Sequence, residues 1–248
     1  MTAPLFSFEG VVVERGGARV LDGVDLAIGA DGLTAVVGRS GSGKSTLLRC
    51  CNRLEAPVAG VVRFRGDDVA GLDPLAHRRR VAMIFQAPVA FPGTVADNLA
   101  AADETLDHAG AARLLDRVGL PASMLDREAD TLSGGEAQRM TIARALATGP
   151  EVLLADEASS ALDGTARTHL EELARTLAAD GLAVVWVTHD LAQVERVADH
   201  VVVVDAGRVS WSGRADDEGC AGAMSALAAD DATGTAGSVG DGDGDGQP

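Results

Sequence analysis

Eight consecutive residues constrain this chain more than any others: Gly38-Arg39-Ser40-Gly41-Ser42-Gly43-Lys44-Ser45, a G-x-x-x-x-G-K-S sequence. An apolar run over residues 33–37 leads into it, and Thr46-Leu47-Leu48-Arg49 opens a helix behind it. Strand, glycine loop and helix in that order let backbone N–H groups converge on an anion at the positive end of a helix dipole. A chance Gly/Ser turn would need neither flank. Lys44, the only lysine in the chain, would reach the β- and γ-phosphates of a nucleotide, and the Ser45 hydroxyl would hold Mg²⁺. The candidate nucleotide-binding residues are therefore Gly38, Arg39, Ser40, Gly41, Ser42, Gly43, Lys44, Ser45 and Thr46.

A second apolar run, from Glu151 into Ala155, ends in two adjacent acids, Asp156 and Glu157. An acid ending such a strand faces the phosphate loop and assists the metal, which gives Asp156 that role. Glu157 is then placed to take a proton from attacking water. The plain alternative is an acid pair capping a helix, and the loop upstream argues against it. Leu132-Ser133-Gly134-Gly135-Glu136 opens another helix with a hydroxyl and free backbone N–H groups, a second anion-binding N-terminus. One chain thus carries two phosphate cradles but one lysine and one acid pair. The second cradle is best placed completing the site of another copy.

Charge narrows the partners. The net charge of −16, with acids scattered throughout, excludes a general nucleic-acid-binding surface, which needs a basic patch. No apolar run approaches membrane-spanning length. The start, Met1-Thr2-Ala3-Pro4-Leu5, has no charged region followed by an apolar one, so no signal peptide is expected. Any membrane role would come through a partner. Cys50, Cys51 and Cys220 have neither metal-ligand nor disulfide-framework spacing; the adjacent pair is expected to be small core residues in a reducing cytoplasm.

The rest of the chain reads as α/β. Residues 6–28 alternate apolar and polar with a Gly16-Gly17 turn, which predicts antiparallel strands. Residues 61–64 and 81–85 predict short strands, with a polar helix or turn over 75–80 between them. From 95 to 124 the period becomes helical, with Leu99, Leu106, Leu114, Leu115 and Val118 on its faces; an inserted helical subdomain is expected over about 92–133. Helix 134–147, strand 152–155, helix 165–179, strand 183–187, helix 191–197 and strand 201–204 then alternate, which implies a mostly parallel sheet. The expected division is a nucleotide-binding domain over 1–215 and an acidic Gly/Ala/Asp-rich tail, largely disordered, over 216–248. The final Asp-Gly repeat lacks the glutamate a calcium loop requires.

Taken together, these motifs make the chain resemble the ATP-binding subunit of an ABC transporter, over residues 6–213 and in the family's order. Residues 132–136 match the family's signature sequence and Gln86 its Q-loop. Ser160-Ala161-Leu162-Asp163 match its D-loop, and Thr188-His189-Asp190 its switch histidine. The resemblance implies a P-loop NTPase core with an N-terminal antiparallel β subdomain and an inserted α-helical one. It implies that Ser133 and Gly135 contact the γ-phosphate of ATP on the opposite subunit. Gln86 would touch Mg²⁺ or the attacking water, His189 would contact the γ-phosphate and orient the water and Glu157, and Asp163 would help communication across a dimer. It also implies a second ABC subunit (a homodimer), integral membrane permease subunits, a solute-binding protein in an importer, and a place on the cytoplasmic face of the cell membrane.

Three departures stand out. There is no tyrosine, and where the family stacks an aromatic on adenine this chain has Arg15; a guanidinium can stack on a base or simply face solvent. Glu136 replaces the common glutamine, and Ala158-Ser159 replaces the usual Pro-Thr. Residues 46–55 resemble phosphate and polar amino-acid importers, and residues 91–99 phosphate-type subunits. Residues 185–189 resemble an iron-exporter branch. Phosphate import is the expectation. The rivals of another class are a soluble ABC-type ATPase of DNA repair or translation, which would carry long insertions or two cassettes, and a small-molecule kinase, which would not explain the signature.

Overall fold

The computed structural model describes residues 4–234. Its first strands, β1 (Phe6–Arg15) and β2 (Ala18–Ile28), form the expected hairpin. Gly16 and Gly17 both take positive φ, 57° and 82°, the backbone a two-residue hairpin turn needs. β4 (Ala59–Phe64) and β5 (Asp67–Asp68) extend this sheet in the order β2-β1-β4-β5, antiparallel throughout.

Among the described residues the second sheet has six strands. Between β2 and β4 comes β3 (Leu33–Val37); later come β6 (Val81–Ile84), β7 (Val152–Asp156), β8 (Ala183–Thr188), β9 (His200–Asp205) and β10 (Arg208–Arg214). Their order is β10-β9-β3-β8-β7-β6, parallel except for the β10 edge. β3, β7 and β8 are buried along their whole length, which is why they read as unbroken apolar runs rather than alternating ones. β3 thus lies beside β8, and β8 beside β7, so three loops far apart in sequence leave the same end of the sheet together.

Helices α1 (Lys44–Cys51), α2 (Pro74–Arg80), α5 (Gly134–Ala147), α6 (Gly164–Ala179) and α7 (Leu191–Val197) surround this sheet. Between β6 and α5, α3 (Val95–Ala100) and α4 (His108–Arg117) occupy the expected insert with two single helical turns. Leu99, Leu115 and Val118 are buried there, while Leu106 and Leu114 pack against the core partly exposed. Cys50 and Cys51 are buried, and desolvation pushes the Cys50 thiol up to about 12. His77, a histidine outside every motif, is buried, its Nε2 2.7 Å from the Cys51 carbonyl.

The expectation of disorder from residue 216 is corrected over its first part. A helix, α8 (Glu218–Gly234), follows β10. Cys220, Met224 and Leu227 fall on one helical face and join the main core. Ala, Gly and Asp around them hid that stripe in the composition. Residues 235–248, the rest of the expected tail, lie outside the described residues.

An ion pair between buried Glu171 and half-exposed Arg196 ties α6 to α7. Glu171 accepts bonds from Arg196 at 2.8 and 2.9 Å and from Gln193 at 2.9 Å. The Arg196 guanidinium holds the Glu171 carboxyl below its ordinary value, against the opposing effect of desolvation. A depressed carboxylate contributes stability above its unfolded pKa and loses it as pH falls through the folded one. Glu171→Gln should therefore cost about 1–3 kcal/mol near neutral pH and lose less stability than the wild type on acidification below pH 5. Urea unfolding across that range checks both; parallel pH profiles would contradict the second.

Candidate nucleotide site and its second half

The phosphate loop lies between β3 and α1. Gly43 caps α1 with φ of 107° and no side-chain bond. A Cβ there would lie 2.7 Å from the Val20 carbonyl oxygen and 2.8 Å from Leu21, so both its conformation and its surroundings require glycine. Lys44 lies back along the loop, its ammonium donating to the carbonyls of Gly38 (2.8 Å) and Arg39 (2.7 Å). Ser40, Gly41, Gly43, Lys44, Ser45 and Thr46 line a cleft of about 270 Å³ together with Arg15 and Glu157. Gly38 sits below, where a Cβ would strike the Val204 carbonyl and the buried Ser42 hydroxyl.

The sheet order brings Asp156 to this loop. The Ser45 hydroxyl donates to Asp156 Oδ1 at 2.6 Å. These are hard oxygen donors side by side, and among the described residues no cluster of three or more His, Cys, Asp or Glu could hold a metal alone. That donor set fits Mg²⁺, which takes one or two protein oxygens and fills its remaining positions with phosphate and water. Gln86, assigned to the same metal, is exposed on the loop after β6; no hydrogen bond among the described residues joins it to Ser45 or Asp156.

Glu157 has φ of 50°, a left-handed conformation rare for a residue with a Cβ. Its N–H donates to the Val187 carbonyl across the strand ends, and its own carbonyl accepts from the N–H and hydroxyl of Ser160. This turn carries the carboxylate into two clefts, that of the phosphate loop and a neighbouring one of about 260 Å³ lined by Arg167, Thr188 and His189. His189 Nδ1 lies 3.7 Å from Glu157 Oε2. Residues far apart in sequence, Lys44, Ser45, Asp156, Glu157 and His189, thus gather at one end of the parallel strands.

Ser133 and Gly135 lie elsewhere. Ser133 caps α5 in a reciprocal box with Glu136: its N–H donates to Glu136 Oε2 at 2.8 Å, and its hydroxyl accepts from the Glu136 N–H. That bond from the Ser133 N–H holds the Glu136 carboxyl below its ordinary value; a glutamine oxygen would accept the same bond. A Cβ on Gly135 would come within 2.9 Å of Ala166, which seats the start of α5 on α6. Asp163 caps α6 by accepting from the Ala166 N–H at 2.8 Å. Ser133, Gly135, Asp163 and His169 line a cleft of about 470 Å³ that shares no residue with the phosphate-loop cleft.

Arg15 is half exposed and ion-paired with Glu55. The pairing leaves it at the phosphate-loop cleft, where stacking and plain solvation are both open to it.

Sequence reasoning missed several partners. Arg49 donates to Asp156 Oδ2 at 3.3 Å; it lies one helical turn beyond Ser45, a spacing that could have flagged it. Buried Gln138 on α5 donates to the Phe85 carbonyl just before Gln86. Arg144 stacks over Phe91 at 4.1 Å and donates to Asn98 and to the Val89 carbonyl. These bonds link α5 to the loop that carries Gln86, and no local pattern announces them.

A phosphate loop backed by a strand-end acid pair, on a parallel sheet with an antiparallel flank, defines a P-loop nucleotide-binding protein, and the second cradle narrows the class further. Residues 21–160 match the ABC transporter family, and the chain belongs to it. It is 46% identical over 214 residues to a methionine import ATP-binding protein, MetN, of Caulobacter vibrioides, covering 82% of this chain and 64% of that one. It is 39% identical over 228 residues to the phosphate import ATP-binding protein PstB 2 of Mycobacterium tuberculosis, covering 85% and 82%. The solved structure of CbiO1 from Clostridium perfringens, part of the ABC transporter complex cbiONQ, superposes with a TM-score of 0.77 over 94% of both chains at 24% identity, which shows the shared fold. The chain spans 58% and 64% of the length of two of the curated relatives it matches.

Proposed function

We propose that this chain is the ATP-hydrolysing subunit of an ABC transporter that works as a pair of copies. The observation that carries this is the separation of the two cradles into clefts with no residue in common. In the pair, ATP on Lys44 and Ser45 of one copy is clasped by Ser133 and Gly135 of the other, with Asp163 at the seam. Ser45 and Asp156, with Gln86 brought to them, would hold Mg²⁺, which would supply charge neutralisation at the phosphates. Glu157 takes the proton of the attacking water, and His189 orients that water and the carboxylate.

Among the described residues no helix is long and apolar enough to cross a membrane. We infer that separate permease subunits carry the solute and hold this chain at the cytoplasmic face of the cell membrane. A groove of about 360 Å³ offers the seat for one. Exposed Leu54, Phe85 and Phe91 line it together with Arg78 and Arg144. Apolar floor and cationic rim, on a chain of strongly negative net charge, suit an amphipathic permease helix bearing a carboxylate. Copurification of the native chain with an integral membrane protein, lost in Phe91→Asp, tests this. An unaltered yield of that protein would sink the assignment, and recovery of the native chain free of any membrane protein would favour the soluble ABC ATPase.

For the solute we infer phosphate import, supported by the phosphate-type residues 91–99 and by the similarity to PstB 2. A solute-binding protein would then deliver the solute. An amino-acid importer is the second reading, favoured by the higher identity to MetN; residues 185–189 are the iron-exporter echo. Arg15 stacking on the base predicts weak base discrimination, because any base offers its face to a guanidinium. GTP should therefore compete with ATP at comparable concentration in a turnover assay. A large preference for ATP would leave Arg15 as a strand arginine paired to Glu55.

A further inference from the structure

β7 and β8 pair in register up to Asp156 and Val187, with one more bond from the Glu157 N–H to the Val187 carbonyl. Beyond that the ladder ends, and each strand turns away carrying a reacting side chain, Glu157 on one and His189 on the other. Each turn is stiff in itself. Glu157 to Ser160 is closed by the two bonds from Ser160. From Thr188 to Gln193, the Asp190 N–H donates to the Thr188 hydroxyl at 3.0 Å and the Gln193 N–H to Asp190 Oδ1 at 3.1 Å.

The turns are joined from beneath by a buried carboxamide. Gln193 is 1% exposed, and its Nε2 donates to the Ser159 hydroxyl at 3.0 Å and to Glu171 Oε1 at 2.9 Å. Ser159 and Glu171 are each 5% exposed, and Arg196 holds Glu171 in place with two bonds. Ser159 lies two residues beyond Glu157, and Gln193 four beyond His189. The Gln193 Oε1 is buried without a hydrogen-bond partner, so the two Nε2 bonds alone fix the carboxamide, and losing either leaves further atoms unpaired away from water. The bridge also gives Ser159, a departure from the family's usual threonine that still bears a hydroxyl, a definite partner.

We propose that Gln193 is a positioning residue: bridging Ser159 and Glu171, it locks the turn carrying Glu157 against the turn carrying His189. The proposal rests on the reading of this end of the sheet as an ATP-hydrolysing site. It acts on geometry alone, and misplacing a reacting group by about 1 Å is enough to cost ~100-fold in rate.

Gln193→Leu, Ser159→Ala and Ser159→Thr in the full chain test it through two readouts. Gln193→Leu should lower kcat for ATP roughly 10- to 100-fold while KM stays within about twofold, since the phosphate loop is untouched. Ser159→Ala should move kcat the same way by less, and Ser159→Thr, which keeps the hydroxyl, should restore it. In the absence of nucleotide, the His189 ring Cε1–H resonance, assigned by His189→Gln, should shift in Gln193→Leu and Ser159→Ala but not in Ser159→Thr. An unmoved resonance with wild-type kcat in folded Gln193→Leu overturns the proposal, as does a raised KM with kcat intact. If Gln193→Leu does not fold, Ser159→Ala decides by the same criteria. If the wild type hydrolyses no ATP, the functional reading fails by itself, and the His189 resonance alone decides whether Gln193 positions the turn.

Discussion

Glu157→Gln should bind ATP as the wild type does and hydrolyse it some 10²- to 10⁴-fold more slowly, the range lost with a general base. The two side chains are nearly the same size, so the left-handed turn at residue 157 and its bonds to Val187 and Ser160, all made by backbone atoms of that residue, survive the change. What disappears is the proton acceptor 3.7 Å from His189. With ATP bound and unbroken, both clamps stay engaged. Each charge-assisted bond to a phosphate contributes about 1.5–3 kcal/mol, and several over two sites exceed the ~5.5 kcal/mol that shifts a closed pair from rare to dominant. The variant should therefore accumulate as an ATP-bound dimer, seen by light scattering or gel filtration with ATP present. Turnover at the wild-type rate would remove Glu157 from the role of base.

A larger consequence follows from the divided site. Ser133→Arg places a bulky cation in the second cradle, and Lys44→Ala empties the first; each alone should abolish turnover, because every composite site in a pair then lacks one half. Mixed in equal amounts, half of the pairs contain one chain of each kind and one intact site. Turnover should therefore return to about a quarter of the wild-type value if pairs form at random and sites act independently. ATP binding to Ser133→Arg should persist, since its phosphate loop is unaltered, whereas Lys44→Ala should lose it. The readouts are steady-state phosphate release across mixing ratios and nucleotide binding to each variant alone. Full activity of Ser133→Arg as a monomer would show a site complete in one chain, and the functional assignment would fall with it.

What could be read in advance was local. The loop from Gly38 to Ser45 and its flanks are one contiguous strand–turn–helix, so spacing alone specified them. The bounds of α5 and α7 were legible for the same reason: Ser133 and Asp190 are caps, and a cap marks a helix start within one residue. α8 was not legible, because its three core residues are diluted by Ala, Gly and Asp, and only the exposed β10 edge gives them something to bury against. The burial of His77 was not legible either: it belongs to no motif, and only the fold shows its ring filling a space beside Phe64 and Cys51.

The sequence by itself determined which side chains bear the chemistry, since a phosphate cradle, a strand-end acid pair and helix caps are each written within a few adjacent residues. Tertiary structure alone decided how those pieces meet. The strand order β3-β8-β7 sets Ser45 against Asp156 and His189 against Glu157, and the buried Ser159–Gln193–Glu171 chain joins three separate elements. The physical reason is that helix, turn and cap preferences act between neighbours along the backbone. Which strands lie side by side depends instead on burial summed over the whole chain, and no short stretch of residues encodes that sum.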